Sequence, residues 1–132
     1  MKVLENYAAY KKQITQLELD LKWLNKRVET VKETMISENQ FDKVKTIIER
    51  ARETEKQLNQ YKNYVGYVEV ILEALKEKYN GKKYEIFFMR FIQKRSLRYI
   101  SREMNDSTTQ IKKMTEEVLL DFKMLTNVLG DE

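Results

Sequence analysis

The stretch "SLRYISREMNDSTTQIKKM", Ser96 to Met114, decides how the second half of this chain folds. Apolar residues recur at Leu97, Ile100 and Met104, and again at Ile111 and Met114. That spacing marks one buried face on each of two helices. Between them "MNDST" is too short for a linker and too polar for a core. Ser96 stands where a helix N-cap belongs, and Ser107 followed by Gln110 has the S-x-x-Q spacing of a capping box. Asn105 tolerates the left-handed conformation that ends a helix. Two helices joined by so short a turn make a helix-turn-helix.

Working outward, "KKYEIFFMRFIQKRS" (82–96) carries Ile86, Met89, Phe91 and Ile92, with Phe87 and Phe88 between them. This predicts a short helix buried on more than one side. Downstream, Val118, Phe122 and Leu125 extend the Ile111/Met114 face to about Leu129. Residues 81–132 therefore read as a three-helix unit.

The first eighty residues follow another rule. Val3, Tyr7, Tyr10, Ile14, Leu17, Leu21, Leu24, Val28, Val31 and Met35 are spaced by alternating fours and threes. That is a heptad seam. "SENQ" (Ser37 to Gln40) interrupts it and has the spacing to cap a new helix. A second seam runs through Val44, Ile47, Ala51, Thr54, Leu58, Tyr61, Val65, Val68, Leu72, Leu75 and Tyr79, and Asn80-Gly81 ends it. Two such seams across a short polar break predict an antiparallel helical hairpin. The expected fold class is thus all-α: a long, coiled-coil-like hairpin over 1–80, for oligomerisation or partner contact, then a helix-turn-helix domain over 81–132.

The second helix also carries an apolar line at Tyr64, Tyr67, Ile71 and Ala74, with Val70 beside it. In a hairpin this line comes near Leu4 and Ala8. A wide apolar face on a thin hairpin wants a cover, either the C-terminal domain or a second subunit. Tyr64, Tyr67, Ile71, Leu4 and the off-seam Trp23 are the candidate oligomer or partner contacts, and a homodimer is the expectation. Gly66 sits inside this helix at a cost in propensity, either to admit a close helix approach or incidentally.

Composition excludes several classes. The chain has 132 residues, no Pro, no Cys and no His, and its three glycines are Gly66, Gly81 and Gly130. A β-rich domain would spend more Gly and Pro on turns. Disulfides, thiolate metal sites and the usual catalytic base or thiol are absent, and no glycine-rich phosphate loop exists. No enzyme, cofactor or metal is expected. No apolar run approaches the ~18 residues of a membrane span. "MKVLENYAAYKKQ" lacks the apolar core of a secretory signal, so a cytoplasmic protein is the default expectation.

Charge is unevenly placed. Residues 1–81 hold 15 basic and 13 acidic side chains, residues 82–113 hold 9 and 3, and residues 114–132 hold 1 and 5. The basic block coincides with the opening stretch and suits a phosphate backbone. In a helix-turn-helix the start of the second helix enters the major groove. The residues pointing away from the Ile111/Met114 face there are Thr108, Thr109, Gln110, Lys112 and Lys113. Gln pairs bidentately with adenine, Thr contacts a thymine methyl, and Lys reaches guanine or phosphate. Lys94, Arg95, Arg98 and Arg102 flank the scaffold helix and suit phosphate contacts.

On these residues, "YEIFFMRFIQKRSLRYISREMNDSTTQIKKMTEEVL" (84–119) resembles region 4 of sigma factors. Ser96, Ile100, Ser101, Met104, Asn105, Ser107, Ile111 and Lys112 fill that motif's places. The departures are Asn105 for the turn glycine, Ser101 for a small alanine, and Tyr99 where the motif has a capping Glu. Glu116 and Glu117 follow the recognition residues closely. A sigma factor would carry another domain where this chain has its hairpin. A helical first half before a region-4-like second half is similar to the ArpU/RinA-type phage late transcriptional regulators. The resemblance implies a phage or prophage regulator of packaging or lysis genes in the bacterial cytoplasm. It would bind double-stranded DNA, with RNA polymerase as a further partner. Two alternatives stay open: a small-terminase-like packaging adaptor, and an interaction protein that binds or inhibits a host factor such as RNA polymerase.

Overall fold

A computed structural model of the chain describes residues 2–34 and 38–128. It is all-α among the described residues. Helix α1 spans Lys2–Thr34 and α2 spans Glu38–Lys78. Helix α3 spans Lys82–Phe87 and runs into a wide π-helical turn at Phe88–Ile92. Helices α4 (Leu97–Met104) and α5 (Thr108–Val128) complete the chain. No helix among the described residues is long and apolar enough to cross a membrane.

The chain divides into two compact units. One runs from Ala9 to Val65, and the other joins the start of α1 up to Ala8 to everything from Gly66 onward. The boundary expected at residue 81 is thereby displaced. The physical reason is burial: Val3, Leu4 and Tyr7 on α1, and Val68, Ile71, Leu72 and Leu75 on α2, are 5% exposed or less. These ends of the hairpin are part of a core, not of a narrow seam.

In the 9–65 unit the seam is what the heptads predict. Leu24, Val44, Ala51, Leu58 and Val65 are buried, and the other described seam residues are half-buried. Tyr10 stacks on Tyr61 with ring centroids 4.6 Å apart and meets Tyr64 edge-on at 5.0 Å. Lys62 pairs with Glu18 at 3.5 Å. These contacts join early α1 to late α2, so the helices run antiparallel. Thr54, the polar seam member, satisfies its hydroxyl on the Arg50 carbonyl at 2.9 Å. Met35 and the Ser37 cap lie outside the described residues.

The other unit is built around aromatics. Phe87 and Phe122 are fully buried with centroids 6.2 Å apart, and Phe91 lies 5.2 Å from Phe87. Beside them Ile86, Ile100, Ile111 and Met114 form a cluster flanked by Met89, Leu97, Tyr99 and Met104. Tyr7 donates to Glu69 at 3.2 Å, and burial first, then that carboxylate, push its phenol up to about 12. Asp121 accepts from Lys78 at 2.6 Å and from the Tyr79 hydroxyl, tying the end of α2 to α5. Those two bonds hold the Asp121 carboxyl below its usual range.

Gly81 follows α2 at φ 109°, a backbone conformation open to glycine. Gly66 answers the question of a close approach: a Cβ there would meet nothing within 4 Å. The position has no steric need for glycine.

Candidate nucleic-acid interface

Three serine side chains and one left-handed residue hold the turn between α4 and α5 and the helix starts on either side of it. Ser96 Oγ accepts from the Tyr99 amide at 3.1 Å, so α4 is capped without the Glu that the sigma-like motif carries. Asn105 adopts the left-handed conformation, φ 56° and ψ 41°. The Ser101 hydroxyl donates to the Asp106 carbonyl, and the Asp106 amide returns to the Ser101 carbonyl at 3.2 Å. Ser101 thus locks the turn, which a small alanine in its place would not do. Ser107 Oγ accepts from the Gln110 amide at 3.2 Å and starts α5.

That geometry sets which side chains leave the surface. Ile111 and Met114 are buried, while Thr108, Thr109, Gln110, Lys112 and Lys113 are all exposed. The five side chains singled out from the sequence therefore share the outer face of the first two turns of α5. Lys94, Arg95, Arg98 and Arg102 are exposed as well. The Arg95 guanidinium lies 4.8 Å over the Tyr99 ring, which steadies it.

Three of the nine basic residues of the block are used internally. Lys82 lies 2.5 Å from the buried Oδ2 of Asp106, as an ion pair that anchors the turn. Lys83 meets Glu117 at 2.9 Å. Arg90 donates to the Thr115 hydroxyl and stacks on Phe91 at 4.9 Å. The remaining six, Lys94, Arg95, Arg98, Arg102, Lys112 and Lys113, form no ion pair among the described residues. Glu117, which follows closely after Lys113, has its charge paired by Lys83.

Lys94 has a further peculiarity. It closes the π-helical turn at φ 57°, with the Arg95 amide bonded to the Met89 carbonyl at 2.9 Å. Glycine is the usual residue at such a closure. Lys94 holds this conformation at some conformational cost.

The candidate partner contacts separate. Leu4 and Ile71 are 2% and 3% exposed, so they are internal to their unit and do not offer a surface. This corrects the expectation for these two. Tyr64 is half-buried against Tyr10. Tyr67 is 37% and Trp23 55% exposed, and Arg27 lies 5.2 Å over the Trp23 ring. Leu19, one turn before Trp23, is 60% exposed.

The sequence reading passed over Thr115, Asp106 and Arg90. The signal for Thr115 was a polar residue on the same face as Met114 and Val118. For Asp106 and Arg90 no sequence pattern announces the partner.

No family model, curated protein or solved structure matches the chain. The reading of its function rests on the site.

Proposed function

We propose that this chain is a sequence-specific DNA-binding transcriptional regulator. In this reading α5 enters the major groove, where Thr108, Thr109, Gln110, Lys112 and Lys113 read base edges. Lys94, Arg95, Arg98 and Arg102 hold the flanking phosphates. The observation that carries it is the division on α5: five exposed polar side chains around a fully buried Ile111, beside four further basic residues, Lys94, Arg95, Arg98 and Arg102, unpaired among the described residues. The resemblance to sigma region 4 and to ArpU/RinA-type regulators favours a phage or prophage role, on late, packaging or lysis genes in the bacterial cytoplasm. The hairpin would then serve as a homodimer or RNA polymerase contact.

Substitution separates the two kinds of contact. Gln110→Ala and Lys113→Ala should relax the preference between duplex sequences. Arg98→Ala and Arg102→Ala should weaken all duplexes alike, each lowering the slope of log affinity against log salt by about 0.9. An unchanged sequence preference in Gln110→Ala and Lys113→Ala would show that α5 is not the reading helix.

A second reading is favoured by the exposed apolar residues. Leu120 and Met124 lie one turn apart on α5 at 63% and 59% exposure. An exposed apolar pair of this kind suits a protein that captures a host factor. Stoichiometric binding of purified RNA polymerase without any duplex affinity would select this reading. A large ring in native mass spectrometry would select a packaging adaptor.

A further inference from the structure

The buried face of α5 contains a polar residue that base reading does not use. Thr115 is fully buried among Ile111, Met114 and Val118. A hydroxyl there is costly unless bonded on both sides. It is: Thr115 Oγ1 donates to the Lys112 carbonyl at 3.0 Å and accepts from Arg90 Nη1. Arg90 comes from the π-helical turn, is half-buried, and has its guanidinium 4.9 Å over the Phe91 ring. No carboxylate among the described residues forms an ion pair with it.

These two bonds join three groups in a chain, from guanidinium to hydroxyl to the backbone of Lys112. Its last link is the peptide unit that carries two of the candidate base-reading side chains, Lys112 and Lys113. Apolar packing alone fixes the distance of α5 from its neighbours better than its rotation, because hydrophobic contact is non-directional. A hydrogen bond to a planar fork is directional. A rotation of α5 would carry Thr108 to Lys113 around the axis together and misalign every base contact.

We propose that Arg90 is a positioning residue that sets the rotation of α5 through Thr115, and so the base preference of the Thr108–Lys113 face. This rests on the DNA-reading function and specifies how its selectivity is held. Arg90 is thereby separated from the six basic residues assigned to base or phosphate contact. The lost interaction should appear in discrimination between sequences, not in general attraction to DNA.

The test uses the full chain and four variants. Thr115→Val keeps the shape and removes the hydroxyl, and Thr115→Ser keeps the hydroxyl. Arg90→Met removes the fork, and the fourth variant combines Arg90→Met with Thr115→Val. Binding is measured to a duplex selected by the wild type and to a shuffled duplex, across a salt series, with folding checked by circular dichroism. Thr115→Val and Arg90→Met should each reduce the preference ratio about tenfold, the size of one charge-assisted hydrogen bond. Thr115→Ser should retain the ratio, and the double variant should lose no more than either single one. The salt slope should stay at its wild-type value throughout. A full preference ratio in folded Thr115→Val overturns the proposal. So does a slope reduced by about 0.9 in Arg90→Met, which would make Arg90 a phosphate contact. A wild type that prefers no duplex overturns the DNA reading itself, and this proposal with it.

Discussion

The 9–65 unit and the unit that holds α3 to α5 solve the same problem with different amounts of core. All nine of the largest side chains below 2% exposure lie from Val68 onward, and the 9–65 unit contributes none of them. A two-helix seam buries one stripe and leaves its flanks in water. In the other unit Phe87, Phe122 and Ile111 are enclosed on all sides, at 0% exposure. The same contrast holds for polar groups. Thr54 on the seam bonds only within its own helix, whereas Thr115, Asp106 and Asp121 each join separate elements. A seam specifies pairing, while an enclosed core with bonded polar groups also specifies orientation, which a reading surface requires.

The largest test of this contrast is truncation of one side chain in each unit. Phe122→Ala should cost about 3–5 kcal/mol in urea denaturation, whereas Leu21→Ala, half-buried on the seam, should fall below about 2 kcal/mol. Equal losses would mean that the seam is as closely packed as the core. Next is the joint after α2. Gly81→Ala should destabilise by about 1–3 kcal/mol, since a Cβ has free space there but the backbone conformation is strained for any L side chain.

The third concerns pH. The Tyr7 phenol is raised to about 12, so its contribution to stability is complete below pH 10 and is lost as pH rises from 10 towards 12. Urea midpoints taken across that range should fall more steeply for wild type than for Tyr7→Phe, and parallel curves would remove the buried Tyr7–Glu69 bond from the account. At the acid end the sign reverses. Asp121 is lowered, so its smaller contribution is present above the ordinary carboxylate range and fades as pH falls through its folded value.

The smallest effects are gains. Gly66→Ala should raise stability by about 1 kcal/mol, because the site is open and only helix propensity changes. Lys94→Gly should stabilise by a few tenths to about 1 kcal/mol by relieving the positive φ. It should also lower the salt slope of duplex binding by about 0.9. A stabilised variant with an unchanged slope would leave Lys94 without a role at phosphate.

The elements were legible because helical period and caps are local properties. Every described seam residue from Val3 to Tyr79 is buried or half-buried, and Ser96, Asn105 and Ser107 cap where their chemistry directs. The exposure of Thr108, Thr109, Gln110, Lys112 and Lys113 around a buried Ile111 followed from the same period. What escaped was tertiary. A heptad cannot say that its own ends, Leu4 and Ile71, leave the seam for a second core. The π-helical turn at Phe88–Ile92 was equally hidden, since apolar residues on nearly every side of that segment erase its period. The Arg90–Thr115 bond joins positions 25 apart in the chain, beyond the reach of any local rule.

The most direct measurement is selection of duplexes from a random pool by the full chain at near-physiological salt, where phosphate attraction alone no longer suffices. The account predicts one enriched consensus that Gln110→Ala blurs, with inverted half-sites about one helical turn apart if the hairpin dimerises. Recovery of the pool without enrichment, from a folded protein, would contradict it and leave "SLRYISREMNDSTTQIKKM" as scaffold.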